Sequence, residues 1–316
     1  MSIPFRNKYT IGKSLYFFIR VILVGFSIFY FSSSSLAQEL EPRSLTNLPV
    51  GMNFAIAGYS YAQGNILLDP ALPIEDLNAK LHAALIAYMR SVRIFGLAGK
   101  VDVVLPWASG DWTGKYTGID TSRSVAGMGD ARIRLSINFL GAPALKKEEF
   151  PGYNPTKISG ISLQIMAPTG QYDYERLINL GSNRWAFRPQ WGFSRYIKNW
   201  IVETYLSTRF FTKNNNFLDG NELRQKPFSA IKVHAIRSFP RNWWIALDAG
   251  YGFGGKTFVN GEERDSRIST IRLGLTLAIP VGMHHTFRLT GITGIRLERG
   301  SDFDAVALTY QYWWIK

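Results

Sequence analysis

Residues 131–139 alternate between apolar and polar side chains with a period of two. The apolar set is Ala131, Ile133, Leu135, Ile137 and Phe139, and between them stand Arg132, Arg134, Ser136 and Asn138. A β-strand turns successive side chains to opposite faces, so the pattern predicts a strand with one apolar and one strongly polar face. In a soluble sheet the apolar face meets a core, whereas in an outer-membrane barrel it meets lipid. The rest of the chain distinguishes these two folds.

The same alternation recurs along most of the sequence. Clear repeats cover 81–90, 97–105, 161–167, 243–253, 271–279, 287–296 and 303–314, and less regular ones cover 50–61, 185–196, 200–211 and 228–236. Together with 131–139 they give twelve candidate strands. A tilted membrane-spanning strand needs about ten residues, and single-chain barrels have an even number of strands. The pattern predicts an all-β fold, an antiparallel up-and-down transmembrane β-barrel of about 12 strands.

The predicted connections alternate between long and short. The long ones are 62–78, 106–128, 168–184, 212–227, 254–268 and 297–302, and the short ones are 93–96, 197–199, 237–241 and 280–284. Long extracellular loops and short periplasmic turns are typical of membrane barrels. Residues 140–157 form a long connection where a short turn belongs, and they predict a periplasmic excursion with a short helix around 144–150.

The N-terminus has the features of a secretory signal peptide. Four basic residues precede or border an apolar run at 21–31, and Ser35 and Ala37 are small residues at the positions that a signal peptidase reads. An uncleaved anchor over 15–31 is the alternative, but Arg20 interrupts it. The sequence therefore predicts a signal peptide at 1–37, with cleavage near Ala37. Residues 38–49 would be a periplasmic N-terminal segment or small plug, and 50–316 the outer-membrane barrel.

Composition narrows the partners that this chain can have. It has a formal net charge of +13 and no cysteine, so an exported chain of this sequence has no disulfides. A basic excess suits a protein that binds nucleic acid or lipopolysaccharide, or a pore that admits anions. Export of the chain excludes nucleic acid as a partner. The expected partners are outer-membrane lipid and lipopolysaccharide, the barrel-assembly machinery and a small-molecule solute.

Candidate catalytic and cofactor motifs do not meet their structural requirements. The glycines of 250–255 match G-x-G-x-x-G, but no helix start follows, so they are better explained as lumen-facing glycines of a strand. The four histidines form no H-E-x-x-H motif, and without cysteine we expect no metal site and no cofactor. The His-x-Ser strand signature of outer-membrane phospholipases is also missing, so we predict no catalytic residue and no enzyme activity.

Charged residues fall on the face that would line the lumen. The candidates are Arg90, Lys100, Asp102, Asp130, Arg132, Arg134, Asp248, Arg272, Arg288 and Arg296, and the less regular strands add Arg188, Glu203, Arg209 and Lys232. One interpretation is a basic wall that lowers the energy of an anion inside a pore. The other is a structural network of Arg–Asp pairs that fills a narrow lumen. The sequence leaves both open.

Five stretches, which together span most of the predicted mature chain, carry a family resemblance. They are residues 41–64, 101–110 (VDVVLPWASG), 127–145 (GMGDARIRLSINFLGAPAL), 167–189 and 301–314 (SDFDAVALTYQYWW). These resemble the family named for a meta-pathway of phenol degradation, a group of predicted outer-membrane transporters. The resemblance implies an outer-membrane barrel that passes small aromatic or hydrophobic molecules, and it brings no catalytic residue.

The resulting hypothesis is an outer-membrane transporter or channel for passive uptake of small solutes, with aromatic and anionic solutes as candidates. Two alternatives stay open. One is a non-transporting structural or adhesin-like barrel that displays loops 106–128 and 168–184. The other is an exported soluble β-calyx that binds a ligand inside a closed sheet.

Overall fold

The computed structural model describes residues 40–67, 69–72, 74–298 and 300–315, so the predicted signal peptide at 1–37 lies outside the described residues. In chain order the strands are β1 (Met52–Asn65), β2 (Ile74–Ile94), β3 (Leu97–Tyr116), β4 (Ile119–Met128), β5 (Arg132–Pro143), β6 (Lys157–Met166), β7 (Ala186–Ile197), β8 (Trp200–Phe211), β9 (Asn214–Phe217), β10 (Asn221–Gln225), β11 (Phe228–Ser238), β12 (Trp244–Gly254), β13 (Thr257–Val259), β14 (Glu262–Glu263), β15 (Ile268–Val281), β16 (His285–Arg296) and β17 (Asp302–Ile315). Two 3-10 helices cover Lys147–Gly152 and Pro240–Asn242.

Twelve of these strands close into an antiparallel barrel. Around the barrel the order is β1, β2, β3, β5, β6, β7, β8, β11, β12, β15, β16 and β17. The ring closes where β17 pairs with β1, from Met52 opposite Ile315 to Asn65 opposite Asp302. Closure leaves no unpaired edge within the ring of twelve described strands, which is what a sheet in lipid requires. Each of the twelve predicted strands overlaps one barrel strand, and the predicted fold class is confirmed.

The outer surface of the barrel is apolar. On β5, Ile133 and Leu135 are 49% and 43% exposed, and on β12 Leu247 is 62% exposed. Similar exposed residues on other barrel strands are Ile86, Ile161, Leu163, Leu206, Leu273, Leu289, Val306 and Leu308. A soluble protein rarely exposes a contiguous apolar surface of this kind, whereas a membrane barrel presents it to lipid.

The tryptophans divide between the two faces of the wall. Trp107, Trp185, Trp191 and Trp200 are exposed, whereas Trp112 and Trp244 are buried. Successive residues of a strand point to opposite faces, so Trp107 and Trp112, five positions apart on β3, face opposite sides.

The end of the barrel with long connections, here called the loop end, contains more β-structure than the sequence predicts. Residues 106–128, expected to be a loop, form a hairpin in which β3 continues and pairs with β4. Its central residues Thr117 and Gly118 have φ of 52° and 79°, as a type I′ turn requires. Strands β9, β10, β13 and β14 form a separate small sheet from two other loops. A buried apolar cluster that includes Leu81, Trp112, Ile178, Phe217 and Leu223 packs these loops together.

The opposite end, here called the turn end, has short connections. The link between β5 and β6 is the exception, and it contains the 3-10 helix Lys147–Gly152 close to the predicted helix. Within the described ranges, no helix is long and apolar enough to cross a membrane.

Candidate functional site

The chain that precedes β1 lies inside the barrel. The Arg43 backbone N–H donates to Glu203 Oε2 on β8 (2.7 Å), and Lys100 Nζ on β3 donates to the Ser44 carbonyl oxygen (2.6 Å). On β5, Asn138 Nδ2 donates to the Leu45 carbonyl oxygen (2.9 Å). Residues 40–48, here called the lumen segment, therefore contact inward-facing side chains on several strands of the wall.

Two inward-facing glycines leave room for the lumen segment. A Cβ at Gly192 would lie 3.0 Å from Leu45 Cδ1 and 2.6 Å from the Tyr205 ring. A Cβ at Gly160 would also lie 3.0 Å from Leu45, at Cδ2. Larger residues at these positions would push Leu45 out of its contact with the wall.

A cavity of about 390 Å³ lies beside the lumen segment and is here called the turn-side cavity. Its charged lining residues are Glu41, Arg43, Lys100, Asp102, Arg132, Arg134 and Arg288. Arg134 Nε donates to Asp102 Oδ2 (2.9 Å), and its Nη1 donates to Glu41 of the lumen segment. Arg134 thus joins the wall to the lumen segment through two carboxylates.

A second cavity of about 450 Å³ lies toward the loop end and is here called the loop-side cavity. Its charged lining residues are Asp69, Asp130, Arg132, Arg184 and Arg209. Leu85, Arg132 and Thr309 line both cavities. The two spaces therefore meet at a level of the lumen that is marked by one arginine, one leucine and one threonine.

The lumen wall differs between neighbouring sectors. In the turn-side cavity, β1 and β2 contribute Phe54, Ile56, Leu85, Ala87 and Met89, and β3 adds Val104 beside the charged Lys100 and Asp102. The next strands, β5, β6 and β7, contribute Arg132, Arg134, Ser136, Ser162, Gln164 and Gln190. An apolar sector beside a basic and polar one matches the surface of a solute that carries both an apolar body and an anionic group.

Asp130 organises the connection between β6 and β7 over the loop-side cavity. Its Oδ1 accepts from the Gly170 backbone N–H (2.9 Å). Its Oδ2 accepts from both the backbone N–H (2.9 Å) and the hydroxyl (2.5 Å) of Ser182. These contacts hold residues 168–184 against the lumen, where several of them line the cavity.

Arg184, at the end of this connection, is buried at the wall of the loop-side cavity. Its Nη2 donates to Gln225 Oε1 (2.7 Å) and contacts Asp69 Oδ2 at 3.3 Å. The guanidinium carbon lies 4.8 Å from the centroid of the Phe211 ring. Arg184 Nε and Nη1 are buried and have no hydrogen-bond partner.

A row of polar side chains crosses β7, β8, β11, β12 and β15 on the inner face. Glu203 accepts from the Ser194 hydroxyl (2.6 Å) and the Tyr205 hydroxyl (2.9 Å), in addition to Arg43. On the next strands, His234 Nδ1 lies 2.6 Å from Asp248 Oδ1, and the Thr276 hydroxyl donates to Asp248 Oδ2 (3.0 Å). The row is built into the wall, where its acids accept several hydrogen bonds.

Of the predicted lumen residues, Lys100, Asp102, Asp130, Arg132, Arg134 and Arg288 line one or both cavities. Asp248 and Arg272 are buried on the inner face without lining either cavity; Arg272 Nη2 donates to the Ser301 carbonyl oxygen (3.1 Å). Arg296 is exposed at the loop end of β16. Among the residues predicted from less regular strands, Arg209 lines the loop-side cavity, and Arg188, Glu203 and Lys232 are buried.

Arg90 was placed on the wrong face by the sequence. It pairs with Val101, whose side chain is exposed on the outer surface, and Arg90 itself is exposed. Both faces of β2 are largely apolar, so alternation alone cannot say which one is turned to the lumen. Leu85 and Met89 line the cavities, and the outer face carries Ile86.

Sequence reasoning missed Arg184, Asp69, Glu41 and Arg43 as lumen residues. All four lie outside the barrel strands, where no period of two marks the direction of a side chain. Within the described part of the chain, no group of three or more histidine or acidic side chains is placed to hold a metal ion.

Residues 58–293 match the model of the family described as "Putative MetA-pathway of phenol degradation". The chain belongs to this family. The resemblance seen in the sequence is thereby confirmed. No curated protein matches the chain.

A solved structure shares the barrel fold. An outer membrane channel from Pseudomonas putida F1 is similar with a TM-score of 0.73 and 17% sequence identity, covering 87% of this chain and 100% of that one. The β domain of the Bordetella autotransporter BrkA matches with a TM-score of 0.49 and 12% identity, covering 83% and 99% of the two chains. The likeness to the Pseudomonas putida channel shows the barrel architecture.

Proposed function

We propose that this chain is an outer-membrane channel through which small anionic solutes pass passively down their gradient. The charge of the lumen carries the proposal. Among the described residues that line the two cavities, the cations are Arg43, Lys100, Arg132, Arg134, Arg184, Arg209 and Arg288, and the anions are Glu41, Asp69, Asp102 and Asp130. Seven cations against four anions make the lumen basic, which lowers the energy of an anion inside it.

The apolar sector supports solutes that are not simple inorganic ions. Phe54, Ile56, Leu85 and Met89 line the turn-side cavity beside Arg132. A solute with an apolar body can contact these residues while its charged group stays near the basic sector. This arrangement favours small amphipathic anions, including aromatic ones. The proposal assigns the chain a transport role and no chemical reaction.

Conductance in planar bilayers tests the proposal. The purified full chain, inserted between two KCl solutions of different concentration, should conduct and should show a reversal potential with the sign of anion selectivity. A barrel that inserts without conducting would contradict the channel and leave the structural or adhesin-like alternative. The exposed apolar outer surface already disagrees with a soluble calyx.

A pair of arginine variants locates the selectivity in the lumen. Arg132 lines both cavities, whereas Arg90 lies on the outer face. Arg132→Ala should move the reversal potential toward zero because it removes a cation from the shared part of the path. Arg90→Ala removes the same charge from outside the path and should leave the reversal potential unchanged. Equal shifts in both variants would mean that selectivity follows net charge and not the lumen.

A further inference from the structure

The loop-side cavity has the composition of a ligand site. Its volume of about 450 Å³ falls in the range of small-molecule pockets, about 300–1,000 Å³. Much of its lining is apolar and includes Ile66, Leu81, Phe211, Phe217 and Phe228. A few polar groups from the loops converge on the same space, and such groups fix the orientation of a ligand in a mostly apolar pocket.

The acids at this cavity already accept hydrogen bonds from the protein. Asp69 Oδ1 accepts from the Ala71 backbone N–H (2.9 Å), and its Oδ2 contacts Arg184. Both oxygens of Asp130 accept from the connection that it holds. Both carboxylates are therefore engaged by groups of the loops.

Arg184 is the group with donors left over. One of its three side-chain nitrogens, Nη2, contacts Asp69 and Gln225, while Nε and Nη1 have no partner and are shielded from solvent. A guanidinium N–H that is neither hydrated nor bonded raises the free energy of the protein, and an anionic oxygen relieves this cost best. The Phe211 ring packs against the same guanidinium, so an aromatic surface lies directly beside the cation.

We propose that the loop-side cavity is a binding site for a monocarboxylate with a ring-sized apolar body, with Arg184 as the carboxylate-binding residue. Apolar residues such as Phe217 and Leu81 would contact the body of the ligand. Because Arg184 Nε and Nη1 are shielded, the carboxylate enters with a local shift of the guanidinium. The inference rests on the proposed channel function, for which it names the solute class and the first site on the loop side.

Calorimetric titration of the purified full chain in detergent with benzoate tests the site, with micelles alone as the blank. Benzyl alcohol is the neutral probe of similar shape, and acetate is the carboxylate without the ring. Benzoate should bind about tenfold more tightly than either, because it alone satisfies both the guanidinium and the apolar wall. Equal affinity for benzoate and benzyl alcohol would overturn the proposal.

Two arginine variants test whether Arg184 is the residue that binds the carboxylate. Arg184→Gln should weaken benzoate binding about tenfold and leave benzyl alcohol binding unchanged. Arg224→Gln is the matched control, since Arg224 is exposed on the small loop sheet, contacts Glu222 and lines neither cavity. Unchanged benzoate binding by Arg184→Gln would overturn the assignment.

Asp69→Asn keeps the test decisive if Arg184→Gln fails to fold. This change removes the carboxylate that competes for Arg184, so it should tighten benzoate binding. Looser or unchanged binding would show that Arg184 serves the loops and not a ligand.

Bilayer conductance of the same preparation separates the two proposals. Benzoate binding without conductance would retain the site and remove the channel. Conductance without selective benzoate binding would retain the channel and remove the site.

Discussion

Arg134 in the turn-side cavity and Arg184 in the loop-side cavity use their guanidinium groups in different ways. In the turn-side cavity, Arg134 contacts two carboxylates and Lys100 donates to a backbone carbonyl, so these cations fasten the lumen segment to the wall. In the loop-side cavity, Arg184 has two nitrogens without a partner. Arginine therefore joins two parts of the structure at position 134, and in the proposed site it binds a ligand at position 184. A count of lumen arginines overstates the number that can meet a solute.

The largest effect on stability is expected at Arg134, whose guanidinium contacts two carboxylates. Arg134→Met leaves Asp102 and Glu41 facing each other's charge in a mostly buried site, and it should reduce the free energy of unfolding by about 3 kcal/mol. Urea unfolding in lipid vesicles measures this loss. The double variant Arg134→Met with Asp102→Asn should recover part of it. An unchanged free energy would mean that Arg134 is not a structural link.

A smaller effect is expected at Glu203, which accepts from Ser194, Tyr205 and the Arg43 backbone. Glu203→Gln replaces a charged acceptor with a neutral amide and so weakens these hydrogen bonds, which should cost about 1 kcal/mol.

Because one of these contacts holds the lumen segment, trypsin should also cleave after Arg43 faster in Glu203→Gln than in the parent protein. Glu148→Gln, at an exposed position in the 3-10 helix at the turn end, is the control. Equal cleavage rates in the two variants would mean that Glu203 does not hold the lumen segment.

The smallest effect is expected on the outside of the loops. Hydrogen bonds from Arg224 and Lys213 lower the pKa of Glu222, so its contribution to stability is present above the ordinary glutamate range and fades as pH falls through the lowered pKa. Because solvent screens this partly exposed carboxylate, Glu222→Gln should leave the unfolding transition unchanged between neutral and acidic pH. A clear pH-dependent loss would show that the loop sheet is better shielded than its exposure indicates.

The sequence predicts the barrel well because its signal is local. Residues 131–139 alternate cleanly, since the outer face must be apolar and the inner face here is charged, and the structure places Ile133 and Leu135 outside. The same rule fails at β2, where the lumen face is also apolar and Arg90 lies on the outer surface at the turn end. Alternation shows which face of a strand points outward only where the two faces differ in polarity. Where both faces are largely apolar, as on β2, it does not show which one faces the lumen.

The loop-side site could not be predicted from periodicity. Arg184 and Asp69 lie in separate connections, 115 positions apart, and they meet only because the closed barrel brings its loops together over one lumen. The use of each arginine depends on its partners in space, such as Glu41 for Arg134. The pattern of residues along the chain does not show which side chains become those partners.

The most direct test of the channel is anion entry into proteoliposomes. Vesicles that contain the full chain are diluted into isosmotic potassium chloride with valinomycin, so that potassium moves freely and chloride entry limits swelling. If the lumen conducts anions, these vesicles should swell faster than protein-free vesicles, and Arg132→Ala should slow the swelling while Arg90→Ala should not. Swelling no faster than that of protein-free vesicles would contradict the proposed channel.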